Sequence, residues 1–491
     1  MSAPETLVVI AVVAPFVGAL VIPLFHDRPN LREAVTLITA AVLLVAVSGL
    51  LPAVLDGARP EATVFAVAPG LDLAFAVEPL GMLFALVASG LWIVNSIYSI
   101  GYMRANNEPR QTGFYVCFAI ALGSTVAIAF AKNLFTLFLF YEALTLSTFP
   151  LVTHKQNAEA IRAGRLYLLL LLGSSMVLFL PAIIATWVLA GTLEFAPGGI
   201  LAGHASPLVM GALLALYVFG IGKAAVMPLH FWLPAAMVAP TPVSALLHAV
   251  AVVKAGVFAI LKIVVYVFGI DTLTAAGANG WLVPVASASL LLASFIALLQ
   301  DNLKARLAYS TVSQLAYVVL GAGLATSTGI VGSGLQIAMH AAAKITLFFC
   351  AGAIYVAAHK TAVSELDGIG RRMPVTMGAF LIGSLSIIGL PPFGGMWSKW
   401  TLALGALEAD QVAVVAVLML SSLLSAAYLL PIVARAFFLP PPGGAAGAPP
   451  RIAEAPLACL IALGATALLT FVLFFSAGTI ETLLRAMAPH D

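Results

Sequence analysis

Residues 220–256 read GIGKAAVMPLHFWLPAAMVAPTPVSALLHAVAVVKAG. Almost every position is apolar. Yet the stretch holds Lys223, His230, His248 and Lys254, and it is broken by Pro228, Pro234, Pro240 and Pro242. Composition decides its setting. Of the 491 residues, 62% are hydrophobic and only 9% are charged, against roughly 25% charged in a soluble domain. Apolar runs recur from end to end, each near or above the roughly 20 residues needed to cross a bilayer. They do not alternate apolar and polar as barrel strands do. The expectation is an all-α polytopic membrane protein.

Fourteen spans are expected, approximately 6–25, 33–55, 79–102, 112–131, 134–152, 164–190, 208–240, 243–268, 281–300, 304–324, 329–357, 374–406, 411–437 and 455–480. The Pro/Gly-rich 440–451 reads as a flexible loop. Charge tests this map. The loops after spans 1, 3, 5, 9, 11 and 13 hold fourteen of the 22 basic residues, whereas the opposite side holds only Arg59, Lys132 and Arg485. The positive-inside rule then puts the basic loops in the cytoplasm and both termini outside. The first apolar run begins near Leu7 without a basic leader, so it reads as a span and not as a cleaved signal. Cys117, Cys350 and Cys459 lie in apolar runs without metal-ligand spacing, so core packing is expected and no metal site. A net charge of +2 does not point to nucleic acid.

Five lysines lie inside spans: Lys223, Lys254, Lys262, Lys344 and Lys399. Glu142, in NLFTLFLFYEALTLSTFP, is the one clear intramembrane acid. Each such residue costs about 2.5–3.5 kcal/mol on insertion scales, so a paired or hydrated functional position is the default reading. Lysine suits proton transfer because burial makes its proton easier to lose. Plainer readings stand beside this one. Glu142 and Lys223 make either a regulated pair or a static one that fastens two helices. Lys262, late in its span, either joins a relay or snorkels to the outer surface. His340 and Lys344 share a helix face and either relay protons or bond to neighbouring backbone. His248 is either a relay or a satisfied core histidine, and His230 among its prolines has either a structural or a relay role. Lys399 has no acidic partner in sequence, which favours a relay.

The prolines fit the same picture. Pro228 and Pro234 interrupt span 7 after Lys223, and GLPPFGGMWSKW interrupts span 12 before Lys399. Freed backbone groups are tolerated at membrane depth only inside protein or against water. Paired interrupted spans point to inverted repeats. Spans 4–8 and 9–13 then form two inverted five-helix halves with broken helices 7 and 12. The expected organisation is 1–111 (three helices), 112–268 (first repeat), 281–437 (second repeat) and 455–491 (helix 14).

The opening stretch, together with DNLKARLAYSTVSQLAYV (301–318), MHAAAKITLFFCAGAIY (339–355), LDGIGRRMP (366–374) and LPPFGGMWSKW (390–400), resembles the antiporter-like family. That family is shared by the large Mrp cation/proton antiporter subunits and the proton-pumping membrane subunits of respiratory complex I. The resemblance covers roughly spans 3–13. It implies fourteen helices with broken spans 7 and 12, and it implies roles: Glu142 and Lys223 as a regulated pair, His248 and Lys254 as central relay residues, His340 and Lys344 in span 11, and Lys399 as the terminal position. The string at 340–374 is similar to the D-type group of monovalent cation/proton antiporter subunits, whereas PTPVSALLHAV (240–250) is more like the A-type Mrp subunits and the distal complex I subunit. Those two usually carry further C-terminal helices, and no such lateral arm is expected here.

The function expected is a proton-translocating subunit of a multisubunit monovalent cation/proton antiporter in the cell (inner) membrane. The alternative is a pump subunit of a redox complex, and a further relative serves inorganic-carbon uptake. No flavin, haem or iron–sulfur motif is present, so no cofactor is expected. The expected partners are other membrane subunits of the complex, the lipid bilayer, and protons. Sodium stays open as a second ion, although no carboxylate cluster suited to it is visible in the spans.

Overall fold

The computed structural model describes residues 2–68, 71–440 and 452–487. Of the flexible loop expected at 440–451, residues 441–451 lie outside the described residues, as do 488–491. Among the described residues, twelve helices are long and apolar enough to cross a membrane. We label the principal helices in chain order: α1 Ala3–Val21, α2 Pro29–Leu55, α3 Pro79–Ala105, α4 Gln111–Ala129, α5 Leu134–Val152 and α6 Ala158–Ala190. There follow α7 Pro207–Gly220, α8 Thr241–Phe268, α9 Leu282–Leu299, α10 Leu303–Leu324, α11 Ser327–Ala358, α12 Pro374–Ile388, α13 Gly395–Glu408, α14 Val412–Phe438 and α15 Leu457–Arg485. Local chemistry sets many of the starts. Ser2 and Glu5 make a capping box for α1, and Asn133 and Asn302 accept from the first turns of α5 and α10.

Three of these helices are short, α7, α12 and α13, and they fall where the sequence expects broken spans. α7 ends at Gly220, a single tight turn holds Gly222–Ala224, and Ala225 takes a left-handed φ of +53°. Lys223 therefore sits within the break, not ahead of it as expected. At the second break, Gly389 adopts φ +93° and ends α12. Pro391 and Pro392 have no N–H to offer the carbonyl of Ile388, which is left free for another donor.

Burial sorts the helices. The apolar window of α8 is 100% buried and that of α10 is 94% buried, whereas those of α1, α2, α6, α9, α14 and α15 are only 33–39% buried. A helix apolar all round belongs inside a bundle, and the outer helices turn apolar side chains such as Leu20, Leu169 and Leu299 outward. This is a multi-pass membrane protein. α8 departs from regular α geometry at two π turns, Leu246–Val250 and Val264–Phe268. It also packs closely on the first break. A Cβ added to Gly256 would lie 2.3 Å from the backbone nitrogen of Ala224, so only glycine lets α8 lie against the loop that carries Lys223.

One element goes beyond the expectation of an entirely helical chain. Strands β1 Glu61–Ala68 and β2 Leu71–Ala76 pair antiparallel between α2 and α3. Thr63, Val64, Phe65 and Val67 favour extended backbone, but by apolar run length alone the segment is a plain connection. The hairpin is tied to the α4–α5 turn, where Lys132 N donates to Ala74 O at 3.0 Å.

Candidate functional site: a buried run of basic and hydroxyl groups

Lys223 is fully buried. Its Nζ donates to the Tyr141 carbonyl at 2.8 Å and to Thr145 Oγ1 at 2.5 Å, and it lies 3.2 Å from the centre of the Tyr141 ring. Glu142, the expected partner, does not hold it. Both carboxylate oxygens of Glu142 lack a hydrogen-bond partner, and among the described residues no cationic nitrogen lies within ion-pair distance of them. The reason is geometric. The ammonium is satisfied on the face of α5 that carries Tyr141 and Thr145, next to the glutamate but not on it. Trp232 Nε1 donates to Gly222 O at 3.0 Å and pins the break in place.

The centre lies between α8, α10 and α11. Lys254 Nζ and His340 Nδ1 are 2.7 Å apart. At that separation one hydrogen lies between two nitrogens, and either can be its donor. Lys344, one turn beyond His340, donates to Ser310 Oγ at 2.8 Å. Lys254, Lys344 and His248 are 0% exposed, and among the described residues no carboxylate pairs with them. A permanent charge there would be buried and unpaired, at a cost of several kcal/mol. Such a site can accommodate charge that arrives and leaves. His248 stands apart from the expected grouping. Neither ring nitrogen has a partner, and its ring lies 4.7 Å from that of Phe348.

From Lys344 the contacts run on through side chains outside the set expected from sequence. Ser310 Oγ is 2.9 Å from the Tyr428 hydroxyl, which is 3.1 Å from Ser425 Oγ. One turn back on α14, Ser422 Oγ accepts from Lys399 Nζ at 2.9 Å. Lys399 also donates to the Ile388 carbonyl at 3.0 Å, the group freed by the proline pair. Each hydroxyl both donates and accepts, so the stretch Lys344–Ser310–Tyr428–Ser425 can pass a proton along, whereas among the described residues no hydrogen bond joins Ser425 to Ser422. A signal for these residues is present in the sequence. Ser310, Gln314 and Tyr317 on α10, and Ser421, Ser425 and Tyr428 on α14, are spaced to form polar stripes on apolar helices. Gln336, bonded to Gln314 at 2.9 Å and to Ser398 at 2.6 Å, lies in the same layer.

Two remaining readings are resolved by position. Lys262 does not snorkel: it is 0% exposed, with Nζ 3.2 Å from Glu78 Oε2 and bonded to Ala131 O at 2.7 Å. Glu78 is thus a buried acid like Glu142 and Glu33, and it escapes a search of the spans because it stands at the N-cap position of α3, at the edge of a connection. His230 is buried near the surface with its ring on Phe231, its centre 4.1 Å away, and it touches none of the buried lysines.

Many helices, two paired breaks and a buried basic run define an ion-translocating class of membrane protein. A profile of the family described as "NADH:quinone oxidoreductase/Mrp antiporter, TM" matches residues 131–425, more than half of the chain. The chain belongs to that family and is an antiporter/complex I-like membrane subunit. It is 35% identical over 373 residues to the NADH-quinone oxidoreductase subunit N of Desulforudis audaxviator, covering 73% of this chain and 72% of that protein. It is 29% identical over 418 residues to the A/B component of a probable K(+)/H(+) antiporter of Rhizobium meliloti, covering 83% of this chain and 40% of that one. It spans about half the length of several other curated relatives. Among solved structures, the Mrp complex from Dietzia sp. DQ12-45-1b contains a chain that superposes with a TM-score of 0.87 at 23% identity, covering 99% of this chain and 97% of that one. The likeness is one of fold.

Proposed function

We propose that this chain is the proton-translocating subunit of a multisubunit monovalent cation/proton antiporter. In this reading protons pass along Lys223, Lys254–His340, Lys344 and Lys399, with His248 beside the centre. The observation that carries it is the contact run Lys344–Ser310–Tyr428–Ser425, met from the other end by Ser422–Lys399. Glu142 and Lys223 supply the switch. The lysine rests here on Tyr141 and Thr145, and its movement onto Glu142 would withdraw positive charge from the face that α8 packs against. That is a two-state element both ends of the run can bias. Other membrane subunits complete the complex. The fourteen-span count, the inverted repeats at 112–268 and 281–437, and outward-facing termini are part of the same proposal, supported by the paired breaks and the basic loops.

A redox-driven pump subunit is the second reading, favoured by the 35% identity to an NADH-quinone oxidoreductase subunit. One experiment separates the two. Inverted vesicles carrying the whole complex are given a proton gradient, and its collapse is followed with a pH-sensitive dye. Collapse on adding sodium or potassium salt supports the antiporter. Proton uptake driven by a reductant, with no response to cations, overturns it in favour of the redox pump.

A further inference from the structure

The proposed relay does not use Glu78 and Lys262, which are both buried and titratable. Glu78 stands between β2 and α3, at the N-cap of α3, and Lys262 lies on α8. The bland account is a static ion pair, with the carboxylate also favoured by the N-terminus of α3. Three observations go beyond it. Glu78 is 4% exposed, yet its Oε2 makes no hydrogen bond even though Lys262 Nζ is 3.2 Å away, so the acid is charge-paired but not saturated. The Tyr266 hydroxyl, one turn beyond Lys262 on α8, is buried and unpartnered as well. The pair also stands between the relay and the surface. Lys254, Phe258 and Lys262 fall four residues apart within one regular helical segment, Val252–Ile263, so they share a face. The two lysines are separated by ~12 Å along the axis. Phe258 fills the gap and lies against Phe84 of α3, with ring centres 4.9 Å apart. On the far side Lys262 holds Ala131 O, and the next residue, Lys132, pairs at 2.8 Å with Glu61 on the hairpin, where both are partly exposed.

We propose that Glu78, held by Lys262, is the proton-transfer site linking Lys254 to the water at the hairpin end, and that Phe84 and Phe258 form the dry barrier between them. The proposal rests on the relay reading above. In the forward step the Phe84–Phe258 contact opens to admit water, an N–H bond of the Lys254 ammonium breaks, and the proton passes along that water to Glu78, where an O–H bond forms. Lys262 stays an ammonium throughout. The carboxyl O–H then breaks, its proton leaves to water at the hairpin end, and the carboxylate returns to its pair. The reverse order loads Lys254 from that side.

The test uses the whole complex in native vesicles, with transport normalised to assembled complex by an affinity tag. Lys344→Met serves as the control for the relay itself. Glu78→Gln is expected to lower transport at least tenfold, and Glu78→Asp to retain it within about threefold. Because Glu78→Gln leaves an unpaired buried ammonium, the double variant Glu78→Gln/Lys262→Met is measured beside it. A merely structural pair is replaced by this neutral pair without loss of transport, whereas a proton carrier is not. Transport by the double variant at wild-type rate would overturn the proposal. If Lys344→Met is inactive in that experiment, the relay reading survives while the Glu78 site falls. If Lys344→Met is active, it is the relay reading that falls.

Discussion

Ser310→Ala is a single-atom test of the run of contacts. Ser310 Oγ is the one hydrogen-bond acceptor of Lys344 Nζ, at 2.8 Å, and it is also within 2.9 Å of the Tyr428 hydroxyl. Both partners are fully buried, so water does not readily replace it. Tyr428 keeps Ser425 at 3.1 Å. Lys344 Nζ keeps no other hydrogen bond among the described residues. A hydrogen bond to a charged group contributes about 1.5–3 kcal/mol. That bond exists in full only while Lys344 carries the proton, so its loss lowers the population of the carrying state by a factor of ~10–100, at about 1.4 kcal/mol per tenfold. The helix itself loses little, because alanine is a good helix former and leaves a hole of only one oxygen. The expected result is complex assembled at wild-type amounts with transport reduced ~10–100-fold. The assay is dye-monitored proton movement in inverted vesicles, normalised to tagged complex. Wild-type transport by Ser310→Ala would refute the reasoning, since it would mean that protons do not depend on the Lys344–Ser310 contact.

Three further outcomes follow from other parts of the structure. Lys399→Met removes the donor to Ser422 and to the freed Ile388 carbonyl and should abolish transport, whereas Ser422→Ala, which leaves the carbonyl bond, should cost only about tenfold; both are read in the same vesicle assay. Gly256→Val places side-chain atoms where a Cβ alone would lie 2.3 Å from the Ala224 backbone nitrogen, so assembled complex in the membrane should fall severalfold, consistent with overpacking costs of about 1–3 kcal/mol or more. The third outcome concerns pH. His154, in the turn after α5, is held down from its usual 6.5 to about 4, first by burial and then by the Arg110 guanidinium. The unfolded chain therefore binds the extra proton first, and stability falls as pH drops from about 6.5 towards about 4, an effect that the Glu108 carboxylate 3.7 Å from His154 Nε2 moderates. His154→Gln should flatten that dependence in thermal scans of the purified complex.

Much of the fold is legible in the sequence because a membrane reduces the choices. Apolar run length marks spans, proline and glycine mark the breaks, and lysines inside spans stand out against 62% hydrophobic residues. The hairpin is not legible, because a short extended segment between spans carries no comparable signal. At the site, the lysines and histidines can be found one by one, but their partners cannot. Lys254 meets His340 across 86 positions of sequence, and no local pattern states which helices will touch. Ser310 and Tyr428 fall on polar stripes and Ser422 falls off them, but no stripe says which hydroxyl finds a partner on another helix, because a hydroxyl on an apolar helix usually satisfies itself on its own backbone. Glu78 is hidden because its helix starts one residue later. The Glu142–Lys223 pair is expected as either a regulated or a static one, and the structure shows Lys223 bonded to Tyr141 and Thr145 and not to Glu142.

The most direct test of the central claim is proton translocation per assembled complex with Lys344→Met, the residue where the lysine–histidine centre meets the hydroxyl run. The side chain keeps its length and loses its ability to carry a proton. The account predicts normal assembly with transport reduced to background. Transport at the wild-type rate would contradict it and place the proton path elsewhere in the bundle.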